Sequence, residues 1–220
     1  MNKQQIEVFI AEAKERVQQK ILKDNLLIFL SRVHEDLSRN PDAKVFGRAK
    51  DLFVAINPYT TYNGTDMLAF FRKEFECIHG MQLTDEEKHL VQTIFNELDD
   101  HFVFKDGKVM KGRIKGMIVK LSEKYVPESS QVIEPVLLCK LISAARGIER
   151  AKDLPASTLQ LLGAEEALFR HRSKGTRPPK YGLLYYSKAV QQEENKGKAA
   201  RRLANKLAIA FKVDYFRRFM

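Results

Sequence analysis

Apolar residues recur along this chain at three- and four-residue steps, and nowhere does a convincing two-residue alternation recur, so the pattern predicts helices and no sheet. Residues 5–37 lack proline and glycine and read as one long helix, with Ile6, Phe9, Ile10, Ala13 and Val17 on a single stripe. From Ile21 the stripe widens through Leu22, Leu26, Leu27, Ile28, Phe29, Leu30, Val33 and Leu37. A helix apolar on two sides must be covered on two sides, which puts its second half inside a bundle. Asn40-Pro41 ends it, because the residue before proline is pushed out of the helical region.

Asp42 is placed to cap a short helix through Ile56, and Tyr59 to Gly64 is a turn-rich connection. Met67, Leu68, Phe70, Phe71, Phe75 and Ile78 predict a helix after Thr65 that Gly80 closes. Thr84 to Glu87 has the capping-box pattern ahead of Leu90, Val91, Ile94, Phe95, Leu98 and Phe102. After a tight turn at Phe104 to Lys108, a helix runs from about Met110 to Lys124, and another spans 132–151 with Gly147 near its end as a close-packing site. Leu154 to Thr158 has a proline and two hydroxyls, Ser157 and Thr158, where a helix begins, and beyond it lie a basic loop, a short piece at Gly182 to Tyr186 that reads as extended, and a last helix from about Asn195 to Phe216. In that helix Ala199, Ala200, Leu203, Ala204, Leu207, Ala208 and Phe211 form the packing face. The reading is all-α: a helical-bundle, partly coiled-coil-like front module over 1–125 and a second helical module over 126–220.

Charge sharpens that division. The chain has 38 Lys+Arg against 28 Asp+Glu, and from Leu141 onward there are 17 basic and 7 acidic residues, so the whole excess of +10 lies in the last 80 positions. A segregated basic field speaks of partners rather than fold, and with exposed aromatics and glycines beside it the expected partner is nucleic acid. Arg170, His171, Arg172, Lys174, Arg177 and Lys180 line a loop-bearing edge that Pro178-Pro179 stiffens, and Lys196, Lys198, Arg201, Arg202 and Lys206 lie around the last helix. Gly163-Ala164 leaves room for a close backbone approach, by a partner or by a neighbouring helix. Tyr181, Tyr185 and Tyr186 offer faces for an unstacked base, of which one need be exposed and the others serve the core.

Other chemistries are excluded. Cys77 and Cys139 read as buried hydrophobes of a reducing compartment, and Cys77, His79 and His89 lack a fourth metal ligand, so neither disulfide nor metal is expected. Gly197-Lys198 is no phosphate-binding loop, since the upstream glycine is missing and Ala199 stands where a magnesium-binding hydroxyl belongs. No nucleophile elbow or dinucleotide fingerprint occurs, so the expected protein is not an enzyme and takes no cofactor. No apolar run approaches the ~18–20 residues of a membrane span, and no signal-peptide core opens the chain, which predicts a cytoplasmic location.

The residues of the rear module resemble the Nop-domain family: archaeal core proteins of box C/D ribonucleoproteins, their nucleolar relatives, and a spliceosomal pre-mRNA processing factor. The likeness lies in Leu154 to Glu165, Ala167 to His171, Lys174-Gly175, Pro178 to Gly182, Asn195 to Arg201 and Val213 to Phe216, within residues 132–217. A weaker likeness, Gln19 to Leu37, is to the first helix of the family's coiled coil. The resemblance implies recognition of a kink-turn, box C/D-like guide RNA together with a small ribosomal-protein-like kink-turn-binding protein, and dimerisation through the front helices. The positions it marks are Gly163, Ala164, Glu165, Arg170, His171, Arg172, Lys174, Arg177, Lys180, Tyr186, Lys196, Lys198, Arg201 and Arg202, with Tyr186 standing where the spliceosomal relative has a histidine at its RNA contact. The chain begins almost at the coiled coil, which argues against fibrillarin docking, and Glu166 replaces the lysine of the family's Gly-Ala-Glu-Lys. Residues 41–110 match no arm of the coiled coil. The rival expectation is a protein-interaction adaptor that binds through its front module.

Overall fold

The structure, a computed structural model, describes residues 8, 23–37, 41–56, 89–96, 98 and 107–217. All regular structure among them is helical, as the three-to-four-residue stripes require. The chain divides into two compact units, Met1–Lys115 and Gly116–Met220, upstream of the 126–131 stretch at which the sequence places its boundary.

In the first unit, α1 (residues 23–36) buries Leu26, Leu27, Phe29, Leu30 and Val33, so its apolar width is covered on both sides. α2 (Pro41–Ile56) begins at Pro41 itself, not behind an Asp42 cap. Proline suits a first helical position because its missing N–H has no partner there anyway. Val45, Ala49 and Leu52 are its buried positions, and Arg48 Nε donates to Asp36 Oδ2 at 3.3 Å. α3 (residues 89–96) buries Val91, Ile94 and Phe95. The phenylalanine-rich helix after Thr65, its Gly80 stop, the turn at 59–64 and the capping box at 84–87 lie outside the described residues.

α4 (Gly107–Tyr125) runs across the division between the units. In the second unit follow α5 (Pro127–Val132), α6 (Pro135–Ala145), α7 (Ile148–Asp153), α8 (Ala156–Leu161), α9 (Glu165–Lys174), a 3₁₀ turn (Leu183–Tyr186), α10 (Lys188–Gln191) and α11 (Lys196–Arg217). The single helix expected over 132–151 is thus two. Arg146 takes a left-handed conformation at φ 64°, and Gly147 follows at φ 112°, ψ 164°, a region that only glycine enters readily. The Gly147 N–H reaches Ile142 O at 2.9 Å and the Arg146 N–H reaches Ser143 O at 3.1 Å, which closes the end of α6 in a Schellman motif. Gly147 is therefore the break in the helix rather than a packing site within it.

α11 is the axis of this unit. It packs on α5, α7, α8, α10 and the 3₁₀ turn, burying Ala199, Ala200, Leu203, Ala204, Leu207, Ala210 and Phe211. Ala208, expected on that face, is half-buried, and Ala210 takes its place. Near its end Asp214, 1% exposed, reaches the start of α5, where Oδ1 accepts from Glu128 N at 2.9 Å and Oδ2 from Ser129 N at 2.8 Å. Pro127 has no N–H, and Val126 gives the helix no side-chain cap, so one carboxylate satisfies the next two N–H groups from across the fold. Arg217 Nη2 adds an ion pair to Glu128 Oε1 at 2.8 Å.

Within the core, Ser122 Oγ donates to Ile118 O at 2.7 Å and lies 3.4 Å from Cys139 Sγ. Burial pushes the Cys139 thiol up to about 11, with the Ser122 contact opposing the shift. The cysteine is an inert core residue.

Candidate nucleic-acid interface

Two glycines set the backbone beneath the basic edge. Gly182 N donates to Gln160 O at 2.8 Å, and Leu183 N to Leu162 O at 2.7 Å, joining the end of α8 to the turn that leads into Tyr186. A Cβ at Gly182 would stand 2.1 Å from Leu162 O, and one at Gly163, whose φ is +84°, would stand 2.5 Å from Leu183 Cγ. The close approach that Gly163 permits is thus to its own chain. The Gly182 to Tyr186 piece, expected to be extended, leaves this junction as a 3₁₀ turn.

Gln160 also ties down the basic loop, because its Nε2 donates to Lys180 O at 2.6 Å. Asn195 caps the start of α11, with Oδ1 accepting from Lys198 N at 3.1 Å. These anchors bring the end of the loop alongside the first turns of α11. Between them lies a half-open cleft of about 690 Å³ lined by Lys180, Lys198 and Arg201, with Ser157, Gln160, Asn195 and Asn205 as its neutral polar wall. Three cations and several amides therefore face one hollow at the N-terminus of a 22-residue helix, whose dipole adds to the positive potential. Such a surface suits an anionic, hydroxyl-bearing chain.

The remaining marked residues fall elsewhere. Lys196 lies over the Tyr185 ring with Nζ 5.4 Å from its centroid, and Tyr185 stacks on Tyr181 at 4.8 Å, so these two tyrosines are engaged within the fold. Arg202 Nη2 pairs with Glu193 Oε1 at 2.6 Å. Tyr186 is 71% exposed and stands on the rim of a second hollow of about 330 Å³, with Glu134, Val136, Leu137, Lys140, Leu183 and Lys188. Arg172, Lys174 and Arg177 are exposed at the end of α9 and in its following loop. His171 Nδ1 meets Thr176 O across that bend, and Gly175 turns it at φ 65°.

α9 has acidic residues in its first turn, Glu165 and Glu166, basic ones in its last, and no buried residue at all; Phe169 on it is 66% exposed. Glu165 Oε1 accepts from Gly163 N at 2.8 Å. Sequence reasoning did not single out Gln160, although it lies within the Leu154 to Glu165 stretch that carries the family likeness, and it missed Asn205, Glu134, Lys140 and Lys188, which carry no motif and are recruited by the fold. Asn195 was legible as a helix start, and Ser157 as a helix-opening hydroxyl.

Fold and site define a module, helical in all regular structure of its described residues, that presents a basic, amide-lined cleft and, at a separate hollow, an exposed tyrosine. The family model described as snoRNA binding domain, fibrillarin matches residues 65–219, and the chain belongs to this Nop family. The match starts well upstream of residue 132, so the family likeness takes in residues 65–110, part of the stretch that matches no arm of the coiled coil. A NOP5 family protein of Methanocaldococcus jannaschii is 43% identical over 98 residues, 44% of this chain and 24% of its own length. Nucleolar protein 56 of Dictyostelium discoideum is 40% identical over 100 residues, 45% of this chain and 18% of that one. Nucleolar protein 56 of Schizosaccharomyces pombe is 29% identical over 161 residues, 64% of this chain and 32% of that one. The chain thus spans about a third or less of the length of these curated relatives. A chain of the crystal structure of a fibrillarin/Nop5p complex shares the fold, with TM-score 0.50 and 19% identity over 99% of this chain and 73% of that one. No described helix is long and apolar enough to cross a membrane.

Proposed function

We propose that the protein is a non-catalytic, RNA-binding component of a box C/D-type ribonucleoprotein. The observation that carries this reading is the convergence of Lys180, Lys198 and Arg201 on one cleft at the head of α11. Each cation that meets a phosphate releases a condensed counterion, which supplies affinity without sequence preference. The exposed face of Tyr186 adds a place for an unstacked base.

A kink-turn RNA already held by a small ribosomal-protein-like partner is the target that the family resemblance implies, and α9 is the element suited to touch that partner. A helix with no buried residue and an exposed phenylalanine gains little from its own fold and presents apolar area to another protein. The front helices serve as the dimerising or partner-binding element. The test is a gel-shift of a kink-turn RNA with the full chain, with and without the kink-turn-binding protein. Retarded RNA whose affinity rises when that protein is present is the expected result; no shift in either condition at low salt would overturn the reading.

A further inference from the structure

Glu134, which lines the hollow beside Tyr186, carries an unmet hydrogen-bonding need. Glu134 stands just ahead of α6, and its Oε1 accepts from Lys188 N at 2.8 Å, capping α10 from a distance of 54 residues. Its Oε2 is buried and has no hydrogen-bond partner. An ionised carboxylate accepts at both oxygens, and a buried acceptor left unpaired is costly, so a donor brought to this place is favoured. Val136, Leu137 and Leu183 supply apolar walls, the Tyr186 ring an exposed face, and Lys140 and Lys188 two cations at the same hollow. Its volume, about 330 Å³, lies in the range of small-ligand sites.

A flat ring fits between apolar walls and a tyrosine face, a hydrogen-bond donor on its edge fits the free oxygen, and cations nearby fit the attached phosphates. We propose that this hollow is a pocket for one unstacked nucleobase and that Glu134 Oε2 selects a base carrying an exocyclic amino group there. The inference rests on the RNA-binding reading above and adds a base preference to it. Cytosine presents its N4 amino group as a donor, whereas uracil presents an O4 acceptor at the same place and so meets the carboxylate with repulsion. Entry of the base requires the pocket's rim to open, and Tyr186 and Lys188 are both exposed side chains whose rotamers change in ps–ns.

The experiment uses hairpin RNAs with one common stem and a five-nucleotide loop of cytidines, uridines or pyrimidin-2-one ribosides, the last lacking any 4-substituent. Affinity for the full chain is read by fluorescence anisotropy at fixed low salt. The wild type is expected to prefer the cytidine loop over the other two by about tenfold, the worth of one hydrogen bond to a charged group. Glu134→Gln keeps an oxygen for Lys188 N and replaces the free oxygen with a donor, so cytidine preference is expected to vanish or reverse towards uridine. The pyrimidin-2-one arm uses wild-type protein alone and decides the matter even if the variant folds poorly. Equal binding of all three loops, with strong salt-dependent affinity for each, overturns the Glu134 pocket and leaves the RNA-binding reading standing. Absence of binding to any loop overturns the pocket, and the RNA-binding reading is then decided by the gel-shift with kink-turn RNA and its binding protein.

Discussion

Asp214 offers the sharpest test of how the second unit is held together. Asp214→Ala removes a carboxylate that is 1% exposed and accepts from Glu128 N at 2.9 Å and Ser129 N at 2.8 Å. Two helix-opening N–H groups, that of Ser129 buried and that of Glu128 part-buried, are then left without a partner. Each unpaired buried donor costs about 1–3 kcal/mol, and loss of a cap costs about 0.5–2 kcal/mol by itself. The two accounts overlap, so about 3–4 kcal/mol is the reasoned total. Asp214→Asn keeps the volume but offers one oxygen and one NH₂; one N–H stays satisfied and the other faces a donor, for about 2 kcal/mol. Urea unfolding followed by circular dichroism reads both variants. With a slope of about 2 kcal/mol/M, Asp214→Ala shifts the midpoint of the second unit's transition by roughly 1.5–2 M, and Asp214→Asn by about half as much. If both variants unfold within about 0.2 M of the wild type, the cap contributes nothing and α11 is held by its alanine face alone.

Three further outcomes follow from single side chains. Burial holds the Cys139 thiol neutral up to about 11 in the folded state against 9.0 for a free thiol, so the unfolded chain loses this proton first as pH rises, and stability falls between those values by about 2–3 kcal/mol. Stability curves of wild type and Cys139→Ala measured from pH 8 to 11 should diverge only as this thiol ionises in the unfolded chain, and parallel curves would refute it. Gly182→Ala forces a Cβ to within 2.1 Å of Leu162 O, a backbone atom that cannot swing away, and thermal unfolding should show a loss of about 1–3 kcal/mol or more; an unchanged Tm would mean that the junction yields. Tyr186→Ala removes an exposed ring, so it should leave stability within about 0.5 kcal/mol while weakening RNA binding by about 1–3 kcal/mol at every salt concentration. Normal folding with unchanged affinity would make Tyr186 a bystander.

Where a stripe of large apolar residues exists, the sequence predicts its element well: the helices around Leu26 to Val33, Ile114 to Leu121 and Leu203 to Phe211 lie where periodicity puts them. The break at Arg146 escaped because two good helix formers, Ala144 and Ala145, precede it and the left-handed residue is an arginine, leaving Gly147 as a lone and ambiguous mark. Gly182 to Tyr186 has the aromatic and leucine content of a strand, but the two backbone bonds to Gln160 and Leu162 are met at its entry, and the chain then tightens into a 3₁₀ turn. Asp214 and Glu134 act on N–H groups 85 and 54 residues away, and no local signal announces a cap supplied from such a distance. The cleft shows the same limit. Its cations were legible as charge along the chain, whereas the selection of Lys180, Lys198 and Arg201 from the others depends on Gln160 pinning the loop against α11.

The central claim is that these three cations meet RNA phosphates, and the salt dependence of RNA affinity tests it most directly. The measurement is the slope of log K against log salt concentration for the full chain on a kink-turn RNA, with the kink-turn-binding protein present, for wild type and for Lys180→Ala, Lys198→Ala and Arg201→Ala combined. All three side chains are exposed or line an open cleft, so the triple variant is expected to fold as the wild type does. Each phosphate contact contributes about 0.7–0.9 to the slope, so the combined variant should lower it by roughly two to three while weakening binding across all sequences alike. An unchanged slope in a folded triple variant would contradict the account and send the search for the RNA surface to Arg172, Lys174 and Arg177.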